Sequence, residues 1–232
     1  MDDDSRNHAL EQVLHIYDDF AATLDVACTR RCADCCTRNV TMTTLEGIRI
    51  YRYLSTEGRL DCLDRIGRDE HQHRFRPAVS TNGLAALCAM GEDPPDEGTI
   101  TPGAPCPFLS DDLCMIYPAR PFGCRCFFSR QDCRKTGFAD IDPYVVTVNT
   151  VFLQLIEHID TGGLFGNLSD MMTHLASAHN RHVNAMAHDL KPGGFLITNR
   201  PIPVLLVPPE HRGRIESMLS RLRNIRMPQA IH

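Results

Sequence analysis

The chain of 232 residues is long enough to bury a core as one large domain or two small ones. It is 43% hydrophobic and has a formal net charge of −5, which argues against nucleic acid as the main partner because phosphate binding needs a basic face. No stretch approaches the roughly 18 consecutive apolar residues that a membrane helix needs. The acidic start at 1–5 differs from a secretory signal, so we expect a cytoplasmic protein without a membrane partner.

Helical periodicity dominates the chain. Apolar residues at three- and four-residue spacing predict an amphipathic helix over 6–26 that runs directly into the first cysteines. An extended piece at 39–42 follows, and Thr43 or Thr44 is a suitable N-cap for a helix that ends near residue 54. Further helices are predicted at 59–75, 80–90, 143–160, 168–189 and 209–224. Short strands are predicted at 195–198 and 204–207.

The order of these elements indicates the fold class. Strand–helix alternation is too short for a parallel α/β sheet, and no internal repeat is present. We therefore expect a mainly α protein with small β elements and an irregular cysteine-rich metal-binding core. The expected organisation is a cysteine-cluster domain over 1–140 with helices inserted at 59–90. A helical C-terminal region over 141–232 would pack on the same core.

Cysteine is the one residue type in abnormal excess. Nine of the eleven cysteines lie in two windows, 28–36 and 106–133. Disulfides are disfavoured in a reducing compartment, so clustered thiols indicate metal ligands or redox groups. Thiolates two to four residues apart can converge on one soft metal because a tight turn brings their sulfurs together. The alternative is that these residues are free cysteines buried as small hydrophobes.

Two kinds of centre fit the two windows. One is a pair of tetrahedral zinc sites with four cysteine ligands each, and the other is an iron–sulfur cluster with or without a second metal. Adjacent Cys35 and Cys36 point in different directions in most backbone conformations. We therefore predict that they serve two metals, or one metal and another role.

Arginines flank both windows although the chain is acidic overall. Metal-bound thiolates carry a net negative charge, which nearby guanidinium groups would offset while lowering the thiol pKa values. The alternative is that these arginines are solvated surface charges. The residues concerned are Arg30, Arg31, Arg38, Arg120, Arg125, Arg130 and Arg134.

Three motifs carry a family resemblance: CTRRCADCC at 28–36, CPFL at 106–109 and CMIYPARPFGCR at 114–125. Together they resemble the CxxCxxCC (YkgJ-type) cysteine-cluster family, which is described as zinc- or iron-chelating. The first gap has three residues here where the family usually has two. The resemblance covers about 26–135 and leaves 136–232 without a counterpart.

The resemblance implies eight metal ligands, with Cys126 as a competitor for the eighth position. These ligands are Cys28, Cys32, Cys35, Cys36, Cys106, Cys114, Cys124 and Cys133. The two prolines of the third motif favour a rigid turn that presents its cysteines. Arg120 and Arg125 can then donate to thiolate sulfurs or to carbonyls of the ligand loops, so we predict both as cofactor-binding residues.

Two sharper alternatives remain open. The spacing Cys28-x3-Cys32-x2-Cys35 also occurs in the radical-SAM motif, where three cysteines hold an iron–sulfur cluster, but the fold expected here lacks the repeated strand–helix units of those enzymes. An additional metal site could use histidines and carboxylates after residue 156. Its candidates are Glu157, His158, Asp160, His174, His179, His182 and His188, and solvent-facing histidines are the alternative.

Three functional hypotheses follow from the sequence. The first is a metal-binding protein whose cysteines hold an iron–sulfur cluster or zinc, with a metal-handling, redox or structural role. The second is a metalloenzyme that acts on a small substrate at that centre. The third is a zinc-stabilised interaction module with the C-terminal helices as its binding surface. Metal ions are the expected partners, while a protein partner or a small-molecule substrate stays open.

Overall fold

A computed structural model of the chain describes residues 3–29, 31–68, 73–98, 103–177 and 194–225. Over these ranges the protein is mainly helical with two small antiparallel sheets, which confirms the predicted mainly α fold. Of the helices in this described part, none is both long enough and apolar enough to cross a membrane.

The described ranges contain nine α-helices and five short strands. The helices are α1 (Asp3–Ala21), α2 (Thr44–Thr56), α3 (Cys62–Arg68), α4 (Thr81–Met90), α5 (Phe122–Arg125), α6 (Cys133–Thr136), α7 (Pro143–Ile159), α8 (Leu168–Ala176) and α9 (Arg212–Arg223). The strands are β1 (Thr41–Thr43), β2 (Leu109–Ser110), β3 (Leu113–Cys114), β4 (Leu164–Asn167) and β5 (Ile197–Thr198). Short 3-10 turns occur at Tyr117–Ala119 and Pro209–His211.

Three predicted elements differ from the structure. Within the described residues, the helix predicted at 59–75 is confined to Cys62–Arg68, and residues 73–75 are not helical. The first helix ends at Ala21 instead of reaching the cysteines, and Thr23 donates its hydroxyl to the Phe20 carbonyl at 2.7 Å just after that end. No strand forms at 204–207, because backbone groups of this segment hydrogen-bond to the side chain of Gln154. Gln154 donates to the Val204 carbonyl at 2.8 Å and accepts from the Leu206 amide at 2.9 Å. Most of the second half of the helix predicted at 168–189 lies outside the described residues.

The start of α2 is fixed by a capping box. Thr43 accepts from the Glu46 amide, and the Glu46 carboxylate accepts from the Thr43 amide at 2.9 Å, so two backbone donors at the helix start are satisfied. The other oxygen of Glu46 accepts from the Phe122 amide at 2.6 Å. Helix α2 is thereby joined to the turn that carries Cys124.

One sheet joins a strand from the first fifth of the chain to two strands from beyond residue 160. The central strand β4 pairs antiparallel with β1, where Thr41 faces Asn167, and with β5 on its other side. Asn167 donates to the carbonyl of Arg38 at 2.6 Å and to that of Phe75 at 2.9 Å. The segment that follows the first cysteine window is therefore held by a strand from beyond residue 140.

The described residues form two hydrophobic cores, the second of which includes Met42 and Leu164 of this sheet. In the first, α1 packs on α7, and the rings of Tyr17, Phe122 and Phe152 meet at centroid distances of 4.6 to 5.7 Å. The second lies between α2, α3 and α8, with Cys106 and Cys114 packed at its edge. The second cysteine window therefore lies at the junction of the two cores.

Replacing Glu46 by alanine tests the constraint at this junction. The variant leaves the buried amides of Thr43 and Phe122 without their acceptor, at about 1–3 kcal/mol for each unsatisfied group. We expect Glu46→Ala to lower the free energy of unfolding in urea by about 2–5 kcal/mol. The matched control is Glu57→Ala on the exposed end of the same helix, expected within about 0.5 kcal/mol of wild type. Equal stability of the two variants would contradict this account of the capping box.

Candidate metal centre

Backbone pairing brings the two cysteine windows together. Thr37 and Pro105 form an antiparallel bridge. The amide of Cys106 donates to the carbonyl of Cys36 at 2.9 Å, and on the other side of the bridge the Arg38 amide donates to the Ala104 carbonyl at 2.9 Å. Cysteines far apart in sequence are thus neighbours through main-chain hydrogen bonds, independently of any metal.

A tight hairpin presents Cys114. Strands β2 and β3 are joined by Asp111 and Asp112, whose φ angles of 50° and 60° are those of a type I′ turn. Leu109 faces Cys114 across the hairpin. This hairpin has no clear signal in the sequence because its turn lacks the usual glycine, although Asp tolerates the left-handed conformation.

The turn that carries Cys124 lies against strand β1. The Cys124 amide donates to the Pro121 carbonyl at 3.0 Å and opens the short helix α5. At Gly123, a Cβ atom would lie 3.1 Å from the carbonyl oxygen of Thr41 and 3.3 Å from a methyl carbon of Val40. A side chain at this position would be tightly packed against the strand, so glycine favours the close approach of the turn.

Four sulfurs from these segments form a first cluster, the inner thiol group: Cys36, Cys106, Cys114 and Cys124. Burial raises the pKa of Cys124 well above its ordinary value, and the charges of Cys106 and Cys114 raise it further. The charges of Cys106, Cys114 and Cys124 likewise act to raise the pKa of Cys36. These mutual effects show that the four sulfurs lie within electrostatic range of one another.

Two amide groups in the inner thiol group are directed at sulfur. Burial raises the pKa of Cys106 to about 11, while a hydrogen bond from the Phe108 amide lowers it. At Cys114 burial also raises the pKa, and the Ile116 amide lowers it. In both cases the donor is two residues after the cysteine. Such hydrogen bonds favour the charged thiolate, which is the form that binds metal.

Four further cysteines form the outer thiol group: Cys28, Cys32, Cys35 and Cys133. Burial raises the pKa of Cys28, the Ser129 amide lowers it by a hydrogen bond, and the charges of the other three sulfurs raise it again. The amide of Ala27 donates to the Ser129 carbonyl at 2.8 Å, and Arg134 lies 3.8 Å from the Asp34 carboxylate. These contacts hold the region of Cys133 against the first window.

The two groups touch at Cys35 and Cys36. The Cys35 thiol donates a hydrogen bond to the Cys36 sulfur, which raises the pKa of Cys35 and lowers that of Cys36. The two side chains therefore do not point apart as predicted. The cause is a tight backbone turn, in which the Thr37 amide donates to the Cys35 carbonyl and the Cys36 amide to the Ala33 carbonyl, both at 2.9 Å. Their other sulfur neighbours overlap only in part. Cys28 and Cys124 are in electrostatic range of Cys35, while Cys106, Cys114 and Cys124 are in range of Cys36.

The remaining cysteines have other surroundings. Cys126 belongs to the first hydrophobic core, where its thiol donates to the Gly123 carbonyl at 3.7 Å and burial raises its pKa to about 12. Cys62 is buried in the second core with its thiol 3.9 Å from the Met115 sulfur, and Cys88 is exposed on α4. Cys133 accordingly stays the predicted eighth ligand.

Guanidinium groups border the inner thiol group at two points. The charge of Arg38 lowers the pKa of Cys106, and that of Arg120 lowers the pKa of Cys114. Arg125 is directed elsewhere. It makes two 3.0 Å hydrogen bonds with the Asp18 carboxylate and donates to the carbonyls of Arg120 and Pro118. Arg125 thus stabilises the turn that carries Cys124 by donating to backbone carbonyls of that turn. A cofactor-binding role for Arg125 stays a prediction.

The groups proposed for an additional histidine site have structural contacts. Glu157 accepts from the hydroxyl of Ser80 and the amide of Asn82, both at 2.7 Å. Asp160 accepts from the Leu45 amide at 3.1 Å, and His158 accepts from the amide of residue 202. His174 is half-buried on α8, where burial lowers its pKa. The other three histidines of this prediction, His179, His182 and His188, lie outside the described residues.

The chemistry of the donor set fits a thiophilic metal. Eight thiols lie in two neighbouring groups, with amide hydrogen bonds and guanidinium charges that favour thiolates. As the side chains stand, no set of three or more Cys, His, Asp or Glu within the described ranges is arranged to hold a metal ion. Coordination therefore requires the thiol side chains to rearrange.

Comparison of the chain with protein-family models, with curated proteins and with solved structures finds no match. The described strands pair only in antiparallel fashion, which differs from the parallel β/α barrel expected of a radical-SAM enzyme.

A glycine-to-alanine pair tests the close packing of the ligand turn. In Gly123→Ala the new methyl group meets a carbonyl of strand β1, which the sheet holds in place. We expect this change to lower the free energy of unfolding by about 1–3 kcal/mol, the usual cost of overpacking. Gly213→Ala on α9 is the control, since a Cβ there meets nothing within 4 Å, and alanine should stabilise that helix by about 0.5–1 kcal/mol. A Gly123→Ala protein as stable as wild type in urea would show that the turn does not depend on this approach.

Proposed function

We propose that the protein binds metal through its eight clustered cysteines, as an iron–sulfur cluster or as zinc, and that it is a member of the CxxCxxCC cysteine-cluster family. Its role would be metal or redox handling, or metal-dependent support of the helical fold. The outer and inner thiol groups would each hold one centre. This division assigns Cys35 to the outer centre and Cys36 to the inner one.

A single observation supports the proposal most strongly. The main-chain hydrogen bond between Cys106 and Cys36 holds the two cysteine windows side by side. A set of unrelated buried cysteines would not need four thiols from three separate segments to lie in one region of the fold. The amides of Phe108 and Ile116 directed at sulfur are a second reason, because they stabilise a charge that a neutral thiol does not carry.

The energetics of the thiols also favour a bound cation. Burial raises the pKa values of Cys106, Cys114 and Cys124 above the ordinary thiol value, so without a metal these groups stay protonated at neutral pH. A coordinated metal supplies the positive charge that deprotonates them. Metal binding is therefore expected to release protons and to stabilise the folded chain.

Protein purified without oxygen should contain metal, which elemental analysis and an absorption spectrum together identify. An iron–sulfur protein is brown with broad visible absorption, whereas a zinc protein is colourless. Cys124→Ser and Cys32→Ser should each lose about half of the bound metal, because each removes one ligand from a different group. Cys88→Ser is the matched control and should keep the full content, since this thiol is exposed on α4. A folded wild-type protein that takes up neither metal, even after reconstitution, would refute the proposal.

The two centres should differ in their resistance to a chelator. The inner thiol group packs against the second hydrophobic core, whereas the sulfur of Cys133 is at the surface. We therefore expect two phases of metal loss. The outer centre should lose its metal at least ten times faster than the inner one. Cys32→Ser should retain only the slow phase and Cys124→Ser only the fast phase. Uniform single-phase loss in wild type would contradict two separate centres while leaving metal binding itself intact.

A further inference from the structure

A charged cleft lies beside the inner thiol group, between α1, α2 and the 3-10 turn at Tyr117–Ala119. Its volume of about 550 Å³ is within the range of roughly 300–1,000 Å³ that is typical of small-molecule sites. The ionisable and aromatic side chains that line it are Glu11, His15, Asp18, Arg49, Tyr117, Arg120 and Arg125.

Positive charge is in excess in this cleft, although the protein as a whole is acidic. Three guanidinium groups face two carboxylates. Arg49 pairs with Glu11 at 2.5 Å, and Arg125 pairs with Asp18 at 3.0 Å. In the described part of the chain no carboxylate pairs with Arg120, which instead donates to the Tyr117 carbonyl at 3.2 Å and stacks over its ring at 3.8 Å.

Of the two paired arginines, Arg49 has a nitrogen without a hydrogen-bond partner in the described part of the chain, whereas all three nitrogens of Arg125 donate. The Nη1 atom of Arg49 is buried and has no hydrogen-bond acceptor among the described residues, while its Nη2 atom donates to the Pro118 carbonyl at 3.0 Å. Arg49, Arg120 and Arg125 line the same cleft and carry like charge. The three cations therefore repel one another, and an added anion would relieve this repulsion.

We propose that this cleft binds the carboxylate or phosphate group of a small molecule, with Arg120 as its principal contact. The planar guanidinium fork is suited to two parallel hydrogen bonds with an oxyanion. Tyr117 is 59% exposed, and its ring already holds the Arg120 guanidinium at the cleft. The residues that carry this inference include no cysteine, so it does not depend on which metal the protein binds.

Calorimetric titration of the purified protein with inorganic phosphate and with glutarate tests the inference, in buffers that contain only chloride as the anion. At least one of the two should bind with 1:1 stoichiometry, and the stronger binder identifies the class of oxyanion. Glutaramide, the uncharged diamide of glutarate, should not bind. Metal content is measured before and after each titration, so that metal release is not counted as binding.

Substitution of Arg120 locates the site. Arg120→Gln should weaken binding at least tenfold, and Arg120→Lys, which keeps the charge but loses the fork, should weaken it less. The matched control is Arg52→Gln on the exposed face of α2, which should bind as wild type does. Circular dichroism and thermal unfolding confirm that each variant is folded. The inference is overturned if neither anion binds, or if Arg120→Gln and Arg52→Gln bind equally well.

Discussion

The buried carboxylate of Glu46 is the constraint on which the rest of the candidate centre depends. It closes the capping box of α2 and accepts from the Phe122 amide, so it links the helix after the first cysteine window to the turn within the second. Burial raises the pKa of Glu46, while the hydrogen bonds from Phe122 and Thr43 lower it. A buried carboxyl group is tolerated where its oxygens are satisfied and where a helix N-terminus supplies favourable partial charge. The hydrogen bonds of this buried carboxyl group thus fix the turn that carries Cys124 within the fold itself.

The same logic applies on the opposite side of the first window. Asn167, at the end of the central strand, donates to the carbonyls of Arg38 and Phe75 and so holds the chain just beyond Cys36. The helices that build the two hydrophobic cores, α1, α2, α7 and α8, carry none of the eight predicted ligands. The cysteine loops are therefore supported by a framework that can bury apolar surface without them. In this respect the chain differs from small zinc domains, whose folding free energy comes mainly from the metal.

Sequence patterns predicted those features that are determined by nearby residues. The N-cap at Thr43 and the helix begun by Pro143 depend on contacts within one turn, so both were correctly predicted from the sequence. The cysteine windows were also identifiable, because ligand spacing is local. Features set by distant partners were not predictable. Gln154 occupies the backbone of 204–207, and Asp18 draws Arg125 away from the sulfurs. Neither partner is near its target in sequence, and no single-chain pattern signals such a pairing.

Arg120 joins the two proposals physically. Its guanidinium borders the inner thiol group, where its charge favours the thiolate of Cys114, and it also lines the cleft beside α1. A metal held by four thiolates and an oxyanion in the cleft are both negatively charged, so both would draw on the same cation. Each should therefore weaken the binding of the other, and thermodynamic linkage requires the two effects to be equal. A protein built in this way would hold its inner metal less tightly when the anionic ligand is present. If both proposals hold, the arrangement would couple ligand binding to metal release through one side chain, without any change of fold.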